Sequence, residues 1–200
     1  MFARALRRFS TQKYSVNTAY LEKYLKHRNV MKLYDLWPNH GMSFVAPNAA
    51  LIGEVYVGNH SAIYYGAVIR GDINKVRIMD HTSIGMNTVI HTAPSLPTGA
   101  SAATVIGCNT YIGPNCTLYS CHIDDFVTVG AGSVILEGAR LEKACVIGPN
   151  SVVPPGRLIP AKQLWAGNPV KYIKDIYEAD EAFTREMIGK EAGKMTYHRG

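Results

Sequence analysis

The chain has 200 residues, of which 47% are hydrophobic and 18% charged, and its formal net charge is +6 at pH 7. This length suits one domain with terminal extensions, which can bury a core without disulfide bonds. No stretch approaches the roughly 18 continuous apolar residues of a membrane-spanning helix, so the sequence predicts a protein that is not integral to a membrane. The four cysteines form no CxxC pair and are predicted to be buried free thiols.

The positive charge is concentrated at the start of the chain. Residues 1–32 contain eight Lys or Arg and one acid, Glu22, which gives +7, so residues 33–200 sum to −1. A domain that binds nucleic acid needs a basic stripe on its folded surface, and the body of this chain has none. Nucleic-acid binding is therefore not expected.

The opening stretch MFARALRRFSTQKYS has arginines, hydroxyl residues and no acid before Glu22, and its apolar residues recur at helical spacing. This pattern is typical of a mitochondrial targeting segment. It also fits a permanent basic amphipathic helix that lies on an anionic membrane or on a partner. Residues 1–42 are assigned to this N-terminal extension.

Aliphatic residues recur at every sixth position through the body of the chain. Sixteen positions fall in four runs that each keep this period: Leu51, Val57, Ile63 and Ile69; Ile78, Ile84 and Ile90; Ile106, Ile112 and Leu118; and Ile123, Val129, Ile135, Leu141, Ile147 and Val153. A six-residue step sends successive aliphatics to different sides of a 3.6-residue helix, so the period indicates short β segments. Such segments bury their apolar sides only by stacking. The sequence therefore predicts an all-β solenoid, a parallel β-helix with three hexads per coil, over residues 43–168.

Two insertions interrupt this rhythm, RGDINKVR at residues 70–77 and TAPSLPTGASAA at residues 92–103. Insertions in a solenoid are expected to form loops on its face, where sites are often built.

The end of the solenoid is predicted after Val153, where the prolines of PPGRLIP should stop strand pairing and Trp165 should cover the last coil. Residues 170–192 place apolar residues at helical spacing. They predict a C-terminal α-helix within a terminal segment of residues 169–200.

Five segments in a fixed order, APNA, GAVIRGD, VIH, VPPG and LWAGNPVKYI, carry a resemblance to a known family. Over about residues 44–175 the chain resembles the γ-class carbonic anhydrases. Hexapeptide repeats occur in many acyltransferases too, but the ordered combination is specific. The resemblance implies left-handed coiling, although right-handed crossovers are the general rule for parallel strands.

In that family, three histidines from two neighbouring subunits bind a metal whose bound water attacks carbon dioxide. The first histidine aligns with His91, and the other two belong to a pattern G-H-x4-H that here reads GPNCTLY, with Pro114 and Tyr119 at the ligand positions. A catalytic zinc needs three protein ligands and an open position for water, and proline has no donor atom. The resemblance therefore implies a degenerate site without catalytic residues or metal, in which His91 is vestigial.

Other positions around this site also match the family. Arg70 and Asp72 align with an Arg–Asp pair that orders the subunit interface, and an interface salt bridge is expected. Gly85 aligns with a glutamine that helps to position the reactants. His81 and His122 lie on other hexads, and nothing in their spacing requires a new metal site with His91.

Ligand-deficient members of this family occur in heterotrimers on the matrix side of the membrane arm of respiratory complex I. The resemblance and the targeting-like N terminus imply a structural, inactive subunit of such a trimer, peripheral to the mitochondrial inner membrane. Its partners would be two related γ-carbonic-anhydrase-like subunits and complex I membrane-arm subunits, with residues 1–42 contacting other subunits or lipid head groups. Zinc would be held, if anywhere, at the interface between the two partner subunits.

Three alternatives remain open from the sequence. The first is an active zinc carbonic anhydrase with substitute ligands. The second is a hexapeptide-repeat acyltransferase that uses a histidine as general base, for which the insertion at residues 92–103 leaves room. The third is a cytosolic adaptor solenoid of the dynactin type.

Overall fold

The computed structural model describes residues 29–177, and the regular elements in this range are β-strands. In chain order they are β1 (Val30–Met31), β2 (Asn39–His40), β3 (Phe44–Val45), β4 (Ala50–Val57), β5 (Ala62–Ile63), β6 (Val68–Ile78), β7 (Ser83–Ile84), β8 (Val89–His91), β9 (Thr104–Ile106), β10 (Tyr111–Ile112), β11 (Thr117–Tyr119), β12 (His122–Ile123), β13 (Thr128–Val129), β14 (Val134–Ile135), β15 (Arg140–Leu141), β16 (Val146–Ile147), β17 (Val152–Val153), β18 (Leu158–Ile159), β19 (Gln163–Ala166) and β20 (Lys171–Asp175). Across residues 29–177, no helix is long and apolar enough to cross a membrane.

The hexad residues stack in three interior columns, because each strand pairs in parallel with the strand one coil away. Column A contains Val45, Ile63, Ile84, Ile112, Val129, Ile147 and Trp165. Column B contains Leu51, Ile69, Ile90, Leu118, Ile135 and Val153. Column C contains Val57, Ile78, Ile106, Ile123, Leu141 and Ile159. All sixteen predicted hexad residues are at most 1% exposed, so the predicted parallel β-solenoid and its core are confirmed.

Small hydroxyl residues between the aliphatics tie neighbouring coils together. The Ser61 hydroxyl donates to the Met79 carbonyl at 2.8 Å, and the Thr82 hydroxyl donates to the Gly107 carbonyl at 2.7 Å. The Ser133 hydroxyl donates in the same way to a carbonyl of the next coil. These side chains are fully buried, and a buried polar group is tolerated only with such a partner. Each of these hydroxyls therefore adds a side-chain hydrogen bond between neighbouring coils.

The corners of the coils are made by residues in the left-handed backbone region. Asn87, Asn109, Asn115 and Asn150 have φ angles between 52° and 57°. Asparagine tolerates this region better than most residues with a Cβ atom. This explains why asparagine recurs in the hexads.

The first insertion does not form a loop. Residues 70–77 belong to the long strand β6, which pairs with β4 through Ile52 with Arg70 and Tyr56 with Arg77, and a register shift lies between Gly53 and Val55. A shift of this kind absorbs additional residues without ending the pairing. The prediction of a loop was therefore wrong for this insertion, whereas residues 92–103 do form one.

The solenoid continues beyond the proline pair, contrary to the prediction. Strand β18 pairs with β15 and strand β19 pairs with β16, which adds Ile159 and Trp165 to the interior columns. Pro155 and Gly156 occupy a corner turn, with Gly156 at a φ of 65°. A turn whose second central residue has positive φ accepts proline at its first central position.

The predicted C-terminal helix is wrong in the part of it that can be described. Strand β20 covers Lys171–Asp175 and pairs antiparallel with β19, and the ring of Tyr172 meets that of Trp165 edge to face at 6.1 Å. Pairing with an open strand edge outweighs the helical spacing of the apolar residues here. Residues 178–192 of the predicted helix lie outside the described residues, as does the targeting-like segment up to residue 28.

Part of the predicted N-terminal extension, residues 29–42, lies against the first coil. Strands β1 and β2 both pair in parallel with β4, through Val30 with Leu51 and His40 with Val57. These two strands supply an additional layer at the N-terminal end of columns B and C.

We expect Ile135→Ala to lower the free energy of unfolding by about 2–5 kcal/mol, because it leaves a cavity in a fully buried column. Val134→Ala, on the same strand but pointing outward, is the matched control. It should lower the free energy of unfolding by well below half as much. Urea unfolding of the two variants measures both values. Equal losses would show that the interior column is not the main source of stability.

Thiol labelling should distinguish one cysteine from the other three. Cys116, Cys121 and Cys145 are buried, and burial raises the pKa of Cys121 and of Cys145 to about 12, whereas Cys108 is partly exposed. Since only the thiolate reacts, an aromatic disulfide reagent at pH 8 should modify Cys108 rapidly and the others only after denaturant is added. Rapid reaction of two or more thiols in the native protein would contradict this burial.

Candidate functional site

His91 lies at the end of β8, beside Tyr119 at the end of β11. The two residues are register partners on neighbouring coils, and their ring centroids are 5.5 Å apart at an interplanar angle of 42°. The His91 side chain is 32% exposed, but its Nδ1 atom is buried and has no hydrogen-bond partner. The regular stacking of coils therefore brings together two of the three positions that the sequence analysis singled out.

Arg70 and Asp72 form the charged part of this region. Arg70 Nε donates to Asp72 Oδ2 at 3.2 Å, and Arg70 Nη2 bonds the same oxygen. Asp72 Oδ1 accepts the Ile73 N–H at 3.2 Å and lies 4.0 Å from His91 Nδ1. Within one chain, the pair is thus an intramolecular ion pair next to the histidine.

The electrostatic balance favours an ionised Asp72. Burial raises the pKa of this carboxyl, but hydrogen bonds from Arg70 and from a backbone N–H, and the charges of Arg70 and His91, outweigh burial and hold the pKa below its ordinary value. The carboxylate is therefore a permanent negative charge beside His91 at neutral pH.

The loop of residues 92–103 packs onto Tyr119. Ala93, Leu96 and Ala102 form a small buried cluster with Tyr119 against it, and the Ala93 N–H donates to the Ser120 hydroxyl at 2.6 Å. Sequence reasoning assigned no packing role to this loop. Its apolar residues were the available signal, since a purely solvent-exposed loop has no need of Leu96.

Pro114 lies between strands β10 and β11. It lies in the corner turn before Asn115 and is partly buried. Pro114 therefore lies in a turn and Tyr119 at the end of the strand that follows it, so these two positions face different surroundings.

Gly85 has no room for a longer side chain. A Cβ atom built there would lie 2.5 Å from the carbonyl carbon of Gly113 and 2.5 Å from the nitrogen of Pro114. Because backbone atoms cannot move away as a flexible side chain can, a glutamine at this position would force neighbouring coils apart.

The remaining candidate histidines lie elsewhere. The His81 ring stacks on His60 at a corner, with centroids 5.1 Å apart, and His122 Nε2 is 2.9 Å from Asp124 Oδ1. Among residues 29–177 of one chain, no three His, Cys, Asp or Glu side chains are grouped so that they could hold a metal ion.

The donor set of this region does not fit a zinc ion of the kind that catalyses hydration. Such an ion takes three protein ligands with an open position for water. His91 offers one nitrogen, Pro114 offers no donor, and the ring of Tyr119 is packed against the loop cluster. The region instead holds the Arg70–Asp72 ion pair, one histidine and the apolar cluster formed by the loop residues around Leu96.

The sequence matches a family described as "Bacterial transferase hexapeptide (six repeats)" over residues 103–137. The chain is 34% identical over 163 residues to "Gamma carbonic anhydrase 1, mitochondrial" of Arabidopsis thaliana, covering 81% of this chain and 59% of that protein. The chain thus spans about three fifths of the length of this plant relative.

Two further similarities each cover more than two thirds of the chain. "Probable carbonic anhydrase" of Methanocaldococcus jannaschii is 33% identical over 136 residues, which is 68% of this chain and 82% of that protein. The crystal structure of a putative acetyltransferase from Bacillus cereus has a TM-score of 0.79 and 28% identity, covering 86% of this chain and 98% of the other.

Asp72→Asn should reduce stability at neutral pH but not in acid. Because the folded-state pKa of Asp72 is depressed, its ion pair stabilises the fold above the ordinary carboxyl pKa of 3.8, and this contribution is lost as pH falls through the folded-state pKa. We expect a difference from wild type of about 1 kcal/mol or less at pH 7 that shrinks below pH about 4. Urea unfolding across pH 3–7 measures it.

Asp35→Asn is the control for that measurement, because Asp35 pairs with Lys32 on the open surface. It should change stability less than Asp72→Asn does at pH 7. If the difference in unfolding free energy between the wild type and Asp72→Asn became larger as the pH fell, the depressed pKa assigned to Asp72 would be contradicted.

Proposed function

Because this chain belongs to the γ-class carbonic anhydrase family, we propose that it is a structural, catalytically inactive γ-carbonic-anhydrase-like subunit of a heterotrimer on the matrix side of mitochondrial complex I. The family membership follows from the archaeal relative, of which the chain covers 82% at 33% identity, and the γ class is the one named for the plant relative at 34% identity. The observation that carries the proposal is the pair Pro114 and Tyr119 at two of the three expected metal-ligand positions.

The chemistry of these positions supports inactivity. Metal-assisted hydration needs a water whose pKa is lowered by a zinc ion held in three-ligand coordination. Proline supplies no lone pair for a metal, and the Tyr119 ring is engaged by Ala93, Leu96 and Ala102. Gly85 has no side-chain amide of the kind that the family uses to position the reactants. Backbone atoms of the next coil occupy the space where a longer side chain would begin.

The trimer assignment extends this argument to two sites. In the family, each site takes its first and third histidines from one subunit and its second from a neighbour. This chain would therefore disable one site through Tyr119 and another through Pro114. Only the interface between its two partner subunits would retain a zinc ion.

The placement in mitochondria is supported by the mitochondrial name of the plant relative and by the basic, acid-poor start of the chain. A peripheral position, with residues 1–42 against other subunits or lipid head groups, agrees with this charge pattern. Arg70 and Asp72 are then available to extend their ion pair to a neighbouring subunit, since Arg70 is still 47% exposed in one chain.

Metal analysis of the native trimer tests the inactive assignment. We expect at most one zinc per trimer, and the zinc content should be unchanged by His91→Ala in this chain, because His91 alone cannot complete a site. His122→Ala, which removes a surface histidine, is the matched control. Zinc that is stoichiometric with this chain and lost on His91→Ala would instead support an active enzyme with substitute ligands.

Separation of mitochondrial complexes on a native gel, followed by mass spectrometry, tests the complex I placement. The chain should migrate with the large NADH-oxidising assembly together with two related subunits. A free homotrimer, or a cytosolic protein, would contradict the placement.

A second candidate function is acyl transfer, which is favoured by the hexapeptide match over residues 103–137 and by the 28% identical structure that is named a putative acetyltransferase. Thermal unfolding with and without coenzyme A distinguishes it. Our proposal predicts no change in the midpoint, whereas stabilisation by coenzyme A would favour the transferase.

A further inference from the structure

A cleft of about 460 Å³ opens on the outer side of column C, at the N-terminal end of the solenoid. Its lining includes the buried Val55 and Val76, and the side chains of Trp37, Tyr56 and Met79 stand around it. None of its lining residues belongs to the region around His91. The proposal made above places residues 1–42, which include Trp37, against other subunits or lipid head groups, but it gives Lys75, Arg77 and the rest of the cleft no role.

Two cations lie in the cleft without a counter-charge of their own. Lys75 and Arg77 are two residues apart on β6, so both point outward beside Val76. Neither forms an ion pair within residues 29–177, and one acid, Glu54, also lines the cleft. Unpaired cations over an apolar floor attract an anionic group.

Exposed aromatic rings extend the cleft outward. Trp37 is 64% exposed and Tyr56 is 41% exposed. Tyr34 is 86% exposed at a tight turn, which is closed by mutual backbone hydrogen bonds between Leu33 and Leu36 at 2.9 and 3.1 Å. Lys32, which is paired with Asp35 at 3.2 Å, lies 5.5 Å from the centre of the Trp37 ring. Aromatic side chains held out in this way, with cations beside them, are typical of surfaces that contact a membrane interface.

We propose that this aromatic-cationic cleft binds the head group of an anionic phospholipid, with Trp37 and Tyr34 entering the interfacial layer of the membrane. Lys75 and Arg77 would pair with the phosphate, and the rings would occupy the boundary between head groups and acyl chains. A soluble phosphate compound would satisfy the two cations but would leave the projecting Tyr34 ring in water. The inference concerns the isolated protein on a lipid surface and does not depend on its placement in complex I.

The first experiment uses Trp37 as a reporter in the full-length chain. The chain has two tryptophans, and Trp165→Phe leaves Trp37 as the one remaining tryptophan. On vesicles of phosphatidylcholine with phosphatidylserine, Trp37 emission should shift to the blue and be quenched by brominated acyl chains, and vesicles of phosphatidylcholine alone should give neither change. No quenching on the anionic vesicles would overturn the proposal.

The second experiment separates the cleft from the basic start of the chain, which also attracts anionic lipid. Lys75→Gln with Arg77→Gln should lower the partition coefficient on anionic vesicles about tenfold or more, since each cation near the surface contributes to binding. Arg140→Gln with Lys171→Gln removes the same charge from exposed positions on β15 and β20, in the C-terminal part of the solenoid, and should change it less than about twofold. Equal losses for the two double variants would refute a specific role for the cleft.

Inorganic phosphate distinguishes the two sources of the anionic group. Added without vesicles, it should leave Trp37 emission unchanged in the Trp165→Phe background. A saturable shift with phosphate alone, abolished by Lys75→Gln with Arg77→Gln, would assign the cleft to a soluble phosphate compound and overturn the membrane proposal. Zinc content and gel migration are unaffected by either result, so this proposal and the proposed function fail separately.

Discussion

The structure depends on a register in which the inward aliphatic residue of each hexad lies directly over its counterpart in the next coil. Parallel pairing at this register builds the three interior columns. Buried hydroxyls donate hydrogen bonds to carbonyls of the neighbouring coil and so keep the corners of successive coils aligned. A shift of one residue would turn every inward side chain to the outside. Irregular segments are therefore tolerated only where they leave the columns intact, as in the shift after Gly53 and in the loop of residues 92–103.

The same constraint explains how metal ligands can be absent without loss of the fold. His91 and Tyr119 each follow an inward residue, Ile90 and Leu118, and Pro114 lies in a corner turn. None of these three positions supplies an interior column. Substitution there changes the chemistry of the outer surface and leaves the core unaffected, which is consistent with a protein retained for its shape. In this chain the loop cluster has taken over the packing around Tyr119.

Outward positions also carry the aromatic-cationic cleft. Along β4 and β6, residues that alternate with Val55 and Val76 point away from the core and are free to vary. The solenoid thus supplies a rigid frame on which one region has an ion pair beside a single histidine and another has unpaired cations beside exposed rings. Both are surface features that lie outside the interior columns.

The hexad spacing was sufficient to predict the solenoid and its interior residues, because a side chain's inward or outward direction along a strand follows from local periodicity. The burial predicted for all four cysteines is confirmed for Cys116, Cys121 and Cys145 and wrong for Cys108, which is partly exposed. The corner role of Pro155, the continuous strand through residues 70–77 and the strand at Lys171–Asp175 were missed. Each depends on a neighbouring strand or coil that offers an open edge or a matching turn. The packing of Leu96 on Tyr119 and the cleft between Trp37 and Arg77 have the same origin. Side chains on the outside acquire neighbours only when separate coils and loops come together, and no repeat within the chain encodes those contacts.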